Sequence, residues 1–183
     1  MTQPRPRIKF TVNDYMTTPD DKRYQLLDGE LILMPAPIIK HQRILGTLFV
    51  MLSTFVTAHH LGEVFIAPCD VVLSNYDVVQ PDILFVSNAR SGIVTRANIQ
   101  GAPDLVVEIL SPGTSQYDRG YKQALYRRSG VREYWLIDPD LESVEVLTET
   151  ADGLALSATY QRGQELRSSL LEDLAIDLEQ VFG

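Results

Sequence analysis

Apolar residues at Ile44, Leu45, Leu48, Leu52, Phe55 and Val56 recur at the three- and four-residue intervals that gather one stripe on a helix. The spacing predicts a helix over 41–60, with Gly62 as its stop. Ahead of it, Tyr24 to Met34 predicts a β-hairpin turning at Asp28-Gly29 and ended by Pro35 and Pro37. Glu63 to Leu73 and Val78 to Val86, rich in Val, Ile and Phe, predict a strand pair across Ser-Asn-Tyr-Asp, and 87–103 has the low periodicity of a connection. Asp104 to Ser111 is a short apolar run with Glu108 inside it, the pattern of a buried central strand interrupted by function. Ser115 with Asp118 three residues on gives a capping-box signal for a helix to Ser129, stopped by Gly130. Arg132 to Asp138 reads as a strand, Ser143 to Leu147 with Leu154 to Tyr160 as a hairpin, and Leu178 to Phe182 as a short helix. The order predicts an α/β (mixed α+β) fold, with a mixed central sheet flanked by helices and hairpins added at both ends. At 183 residues it forms a single domain, 1–183, and residues 1–9, basic and twice interrupted by proline, predict a loose arm.

Charge changes the expected partners. With 16 Lys and Arg against 24 Asp and Glu, the net charge of −8 is opposite in sign to the usual nucleic-acid footprint, although a local basic loop or bound cations override a global balance at one face. The single Cys69 excludes an intramolecular disulfide and a cysteine zinc cluster. No apolar h-region follows the N-terminal basic residues and no apolar run approaches a membrane span, so a soluble cytoplasmic protein without membrane contact is expected.

Four ionisable residues are candidates for one site: Glu30, Asp82, Glu108 and Lys122. A carboxylate inside a buried run is costly unless paired, hydrogen-bonded or bound to a metal, so Asp82 and Glu108 on neighbouring strands suggest a divalent cation between them, Mg2+ being the natural ion for oxygen ligands. Asp118, Lys122 and Tyr126 share one helix face by i, i+4 spacing, which folds back over the end of the Glu108 strand. Two acids and a lysine supply metal-assisted phosphodiester hydrolysis, the lysine orienting water or offsetting charge on phosphorus. By the residues alone a structural reading stands beside it, in which Asp82 starts a strand and Glu108 merely pairs with Lys122. His41, at a helix start, has two readings: near the metal site or on a phosphate, or, by about two to one, a surface or structurally satisfied group. Arg90, Arg96, Arg119, Arg127 and Arg128 are the basic residues available to a phosphate backbone.

Pro81-Asp82, Glu108-Ile109-Leu110-Ser111-Pro112, Asp118, Lys122, Tyr126 and the run Gly130 to Pro139 closely resemble the Uma-type family of restriction endonuclease-like proteins. Leu27-Asp28-Gly29-Glu30-Leu31 and His41 match its N-terminal portion, so the resemblance spans about Tyr24 to Pro139. It implies the PD-(D/E)XK nuclease core, catalytic residues Asp82, Glu108, Lys122 and Glu30, and a metal set of Asp82, Glu108 and Ile109. Mg2+, with Mn2+ able to substitute, is the implied cofactor, DNA the implied substrate and a homodimer the implied assembly. Two positions depart from the pattern. Leu110 stands where the motif lysine usually does, which moves that role to Lys122, and Gln25 stands where the family commonly has Glu. A non-catalytic interaction module on the same fold and a metal-dependent hydrolase of small phosphoesters remain the alternatives.

Overall fold

The computed structural model describes residues 8–19 and 21–183; most of the predicted arm, 1–7, lies outside the described residues. A single turn, α1 (Val12–Tyr15), is capped by Thr11 and leads into the predicted hairpin, β1 (Tyr24–Leu27) and β2 (Glu30–Leu33). Asp28 and Gly29 have φ of 49° and 77°, the left-handed pair required by a two-residue turn whose twist suits its strands. The predicted long helix is α2 (Ile39–Ala58), and its buried stripe includes Ile44, Leu45, Leu48, Leu52 and Val56. Its end differs from the expectation. His60, at φ 54°, takes the left-handed position, while Gly62 opens the next strand, where an added Cβ would lie 2.1 Å from the Val86 carbonyl oxygen.

The runs 63–73 and 78–86 are each split between two sheets rather than forming one simple pair. β3 (Gly62–Ile66) and β6 (Ile83–Ser87) pair antiparallel, whereas β4 (Val71–Ser74) and β5 (Asp77–Val79) form a hairpin elsewhere. Pro68 and Pro81 fall at the two breaks, because proline cannot donate to a strand ladder. The connection 87–103 contains a 3-10 turn over Asn88–Ile93 and β7 (Ile99–Gln100), parallel to β4. The first sheet therefore has the order β2-β1-β5-β4-β7.

β8 (Leu105–Ile109) is the central strand predicted around Glu108, antiparallel to β6 and parallel to β9 (Glu133–Asp138). With the hairpin β10 (Ser143–Thr150) and β11 (Gly153–Gln161), it builds a mixed sheet of order β11-β10-β9-β8-β6-β3. Between β8 and β9 runs a continuous helical stretch of α3 (Ser115–Tyr117), a π turn (Asp118–Lys122) and α4 (Gln123–Ser129), closed by Gly130 as predicted. The predicted capping box does not form. Thr114 holds the N-cap without a side-chain bond to the helix, and Asp118 is buried against Lys122 instead. A small ladder, β12 (Glu165–Arg167) with β13 (Ala175–Asp177), precedes α5 (Leu178–Phe182).

Strand alternation sorts the core into two faces. Ile83, Phe85, Leu105, Val107, Ile109 and Trp135 pack toward α2 and α5. Leu84, Val86, Val106, Leu110, Tyr134 and Leu136 pack toward α4 and the five-stranded sheet. Glu108 has the parity of the second set, so its carboxylate falls on the side that the π turn covers, where Lys122 meets it, while Asp82, just before β6, reaches His41 of α2.

Candidate active site

Asp82 stands just before β6 and Glu108 within β8, and both line a cleft of about 350 Å³ with Arg23, Gln25, His41 and Lys122. Asp82 Oδ2 accepts the Ile109 N–H at 2.8 Å and lies 3.2 Å from His41 Nε2. Glu108 Oε1 accepts from Lys122 Nζ at 3.0 Å and from the Tyr126 hydroxyl at 2.7 Å. Lys122 Nζ also reaches Asp118 Oδ1 at 2.9 Å, and all three members of this charged cluster are buried. Each cleft carboxylate thus commits one oxygen, Oδ2 or Oε1, to protein donors. The five-residue π turn places Asp118 and Lys122 at its ends, and α4 adds Tyr126 one turn on; single π turns inside helices are frequent at functional sites.

Electrostatics follows from this crowding. Burial pushes the Glu108 carboxyl up to about 8, against the pull of Lys122 and with the push of the Asp118 and Asp82 carboxylates. Burial works against the Lys122 ammonium, but Glu108 and Asp118 outweigh it and hold the ammonium above its ordinary value. One ammonium therefore faces two buried carboxylates, with Asp82 close enough to add to the negative charge. Oxygen-only donors suit a hard divalent cation. Among the described residues no three His, Cys, Asp or Glu side chains converge in a ready-made metal cage; the groups in the cleft that could hold an ion are the Asp82 and Glu108 carboxylates and the Ile109 carbonyl. Such sparse ligation fits Mg2+, which retains several waters.

Of the predicted residues, the structure brings Asp82, Glu108, Ile109 and Lys122 to one cleft. Glu30 is not among the residues that line it. Leu110 is buried in the core cluster beneath α4, and Lys122 reaches Glu108 from the helix. His41 is corrected from a surface or structurally satisfied group to a cleft residue beside Asp82, with Nδ1 buried and without a hydrogen bond. Its signal was present in the sequence: His41 begins the buried stripe of α2, where a polar residue is out of place. Gln25, noted only as a departure, also lines the cleft, and its Oε1 is buried without a partner. Three of the arginines expected to face phosphate are already engaged, Arg90 with Asp104, Arg119 with Glu145 and Arg128 with Asp77. A wider depression of about 460 Å³ beyond Ser111 and Pro112 is lined by Arg119 and Asp138 and holds none of the predicted site residues.

The mixed sheet with helices on both faces, and acids brought to one strand end beneath a helix, define a restriction endonuclease-like fold. The crystal structure of a putative nuclease belonging to DUF820 from Anabaena variabilis superposes with a TM-score of 0.78 at 21% identity, covering 94% of this chain and 97% of that one. The chain belongs to the Uma2 family, described as "Putative restriction endonuclease", whose sequence profile matches residues 12–179. An uncharacterized protein of Synechocystis sp. is 26% identical over 182 residues, covering 94% of this chain and 92% of the relative. No helix among the described residues is long and apolar enough to cross a membrane.

Proposed function

We propose that the protein hydrolyses phosphodiester bonds of nucleic acid, DNA being the expected substrate, with Mg2+, or Mn2+ in its place, held by Asp82, Glu108 and the Ile109 carbonyl. The observation that carries this reading is the buried Asp118–Lys122–Glu108 cluster opening onto the same cleft as Asp82. A bound cation supplies polarisation of the phosphoryl oxygen and a more acidic water. The chain supplies the rest. The Ile109 N–H and His41 fix the direction of Asp82, Tyr126 fixes Glu108, and the charged Lys122 offsets negative charge developing on phosphorus. Glu30 lies outside this assignment because it does not line the cleft. Cleavage of both strands requires two sites facing antiparallel backbones, which a two-fold homodimer provides; the edge strand β11, with Leu156 exposed, is where we place the contact.

The test is cleavage of duplex and single-stranded DNA in Mg2+, in Mn2+ and in chelator. Cleavage in either metal and none in chelator is expected, and Asp82→Asn should lower the rate at least about 10³-fold, the several kcal/mol of charge stabilisation a metal supplies. A folded protein that cuts only small phosphodiesters supports the phosphoesterase alternative. One that cuts neither is the interaction module.

A further inference from the structure

We infer that Arg23 is a phosphate anchor in the cleft, positioned by Gln80 to take a backbone phosphate of the nucleic acid; this rests on the nuclease reading above. Arg23 leads into β1, and its side chain lines the cleft that holds Asp82, Glu108 and Lys122. Its Nε and Nη2 lean on Gln80 Oε1 at 3.4 and 3.3 Å. The Gln80 amide is itself aimed, because its Nε2 donates to Asp70 Oδ1 at 2.8 Å and to the Tyr15 hydroxyl at 3.2 Å, while Tyr15 donates to the same Asp70 oxygen at 2.7 Å. The amide nitrogen faces Asp70, so its oxygen faces Arg23. A neutral group is thereby interposed between Asp70 and the guanidinium, which keeps its orientation without losing its charge to an ion pair.

The contrast with the other arginines is informative. Among the described residues, every other arginine either pairs with a carboxylate or, as Arg43, Arg96 and Arg127 do, lies exposed. Among the described arginines, Arg23 is the one that is half-buried, pairs with no described acid and lines the cleft. In a chain of net charge −8, a polyanion approaching Asp82 and Glu108 meets repulsion, and a guanidinium lining the same cleft offsets it. The planar fork of Arg also matches two phosphate oxygens at once.

Binding of a fluorescein-labelled DNA oligonucleotide, read by anisotropy on an Asp82→Asn background that leaves the DNA uncut, tests the inference. Arg23→Ala should weaken binding about five- to ten-fold at low salt and reduce the slope of log K against log salt by about 0.9, the loss of one phosphate contact. Arg23→Lys should keep the slope and recover only part of the affinity. Gln80→Ala should fall between them, because the charge stays and its aim is lost. Should Arg23→Ala fold poorly, Arg23→Met keeps the packed stem and removes the charge. Unchanged affinity and slope in Arg23→Ala or Arg23→Met, with metal-dependent cleavage intact in the wild type, overturn the anchor and leave the nuclease reading standing. An Arg23-dependent slope in a wild type that cleaves nothing supports the anchor and sinks the nuclease. A wild type that does not bind DNA overturns both.

Discussion

β8 and β9 lie side by side, and each carries a buried glutamate, on opposite faces of the sheet. Glu133 accepts from Trp135 Nε1 at 2.7 Å, from the Ser168 hydroxyl at 2.7 Å, from the Ser169 N–H at 3.0 Å and hydroxyl at 2.6 Å, and from the Leu170 N–H at 3.1 Å. Both its oxygens are saturated by neutral donors, and the effect is to staple the segment 168–170 to the sheet. Glu108 has the opposite environment. One oxygen is held by a charged lysine and a tyrosine, two further carboxylates press on it, and it opens on a cleft. A buried acid is therefore not in itself a site. Neutral donors on both oxygens make a structural staple, whereas competing charges and an uncommitted oxygen leave an acid poised to bind something else.

The comparison breaks most visibly at Glu133. Glu133→Ala leaves five donor groups, the buried Trp135 Nε1 among them, without their acceptor and should cost about 3–5 kcal/mol, the sum of a few hydrogen bonds to a charged acceptor. In a chain of this length that is a fall in melting temperature of roughly 10 °C, with cleavage per folded molecule unchanged. A melting temperature close to wild type would show that Glu133 is not a staple. The next effect is on the other face. Lys122→Met keeps most of the buried volume and should lower the cleavage rate about 10²-fold while leaving Mn2+ affinity, read by calorimetry, within a few-fold of wild type. Full activity with a lowered melting temperature would place Lys122 beside Glu133 as a structural partner.

Much of this was legible in the sequence, for identifiable reasons. The stripe of α2, the Asp28-Gly29 turn, the helix stop at Gly130 and the strand around Glu108 are set by local periodicity and turn chemistry, and they appear where expected. Asp82 and Glu108 stood out because each is a charge inside or beside an apolar run, and Lys122 because it shares a helix face with Asp118 and Tyr126. What escaped depended on distant partners. The exchange of strands between two sheets at Pro68 and Pro81 is decided by which neighbours complete each ladder, and the two short strands β12 and β13 carry too few residues for a period. The capping reading of Asp118 failed because Lys122, one turn on and paired as well with Glu108 of another strand, draws the Asp118 carboxylate away from the helix end. His41 and Arg23 acquire meaning only through Asp82 and Gln80, which lie 41 and 57 residues away.

The smallest expected effect separates the two glutamates by pH. A carboxyl held up to about 8 in the folded protein, against the ordinary glutamate value of 4.5, favours the folded state fully below the lower value and loses that contribution as pH rises through the upper one. Between the two, unfolding releases a proton from Glu108, so its share of the stability falls with increasing pH. Glu108→Gln removes this titration while retaining an acceptor for Lys122 and Tyr126, and leaves Asp118 as the counterion of the lysine. The difference in melting temperature between wild type and Glu108→Gln should therefore move in favour of the variant from pH 5 to pH 9. The same proton gives a reading on binding: at pH 7, Mn2+ entering a site that ionises Glu108 displaces it, and calorimetry in buffers of different ionisation enthalpy should register proton release that Glu108→Gln abolishes. A melting-temperature difference independent of pH, with no proton released on Mn2+ binding, would mean that Glu108 is ionised in the folded protein at neutral pH and that Lys122 alone satisfies it.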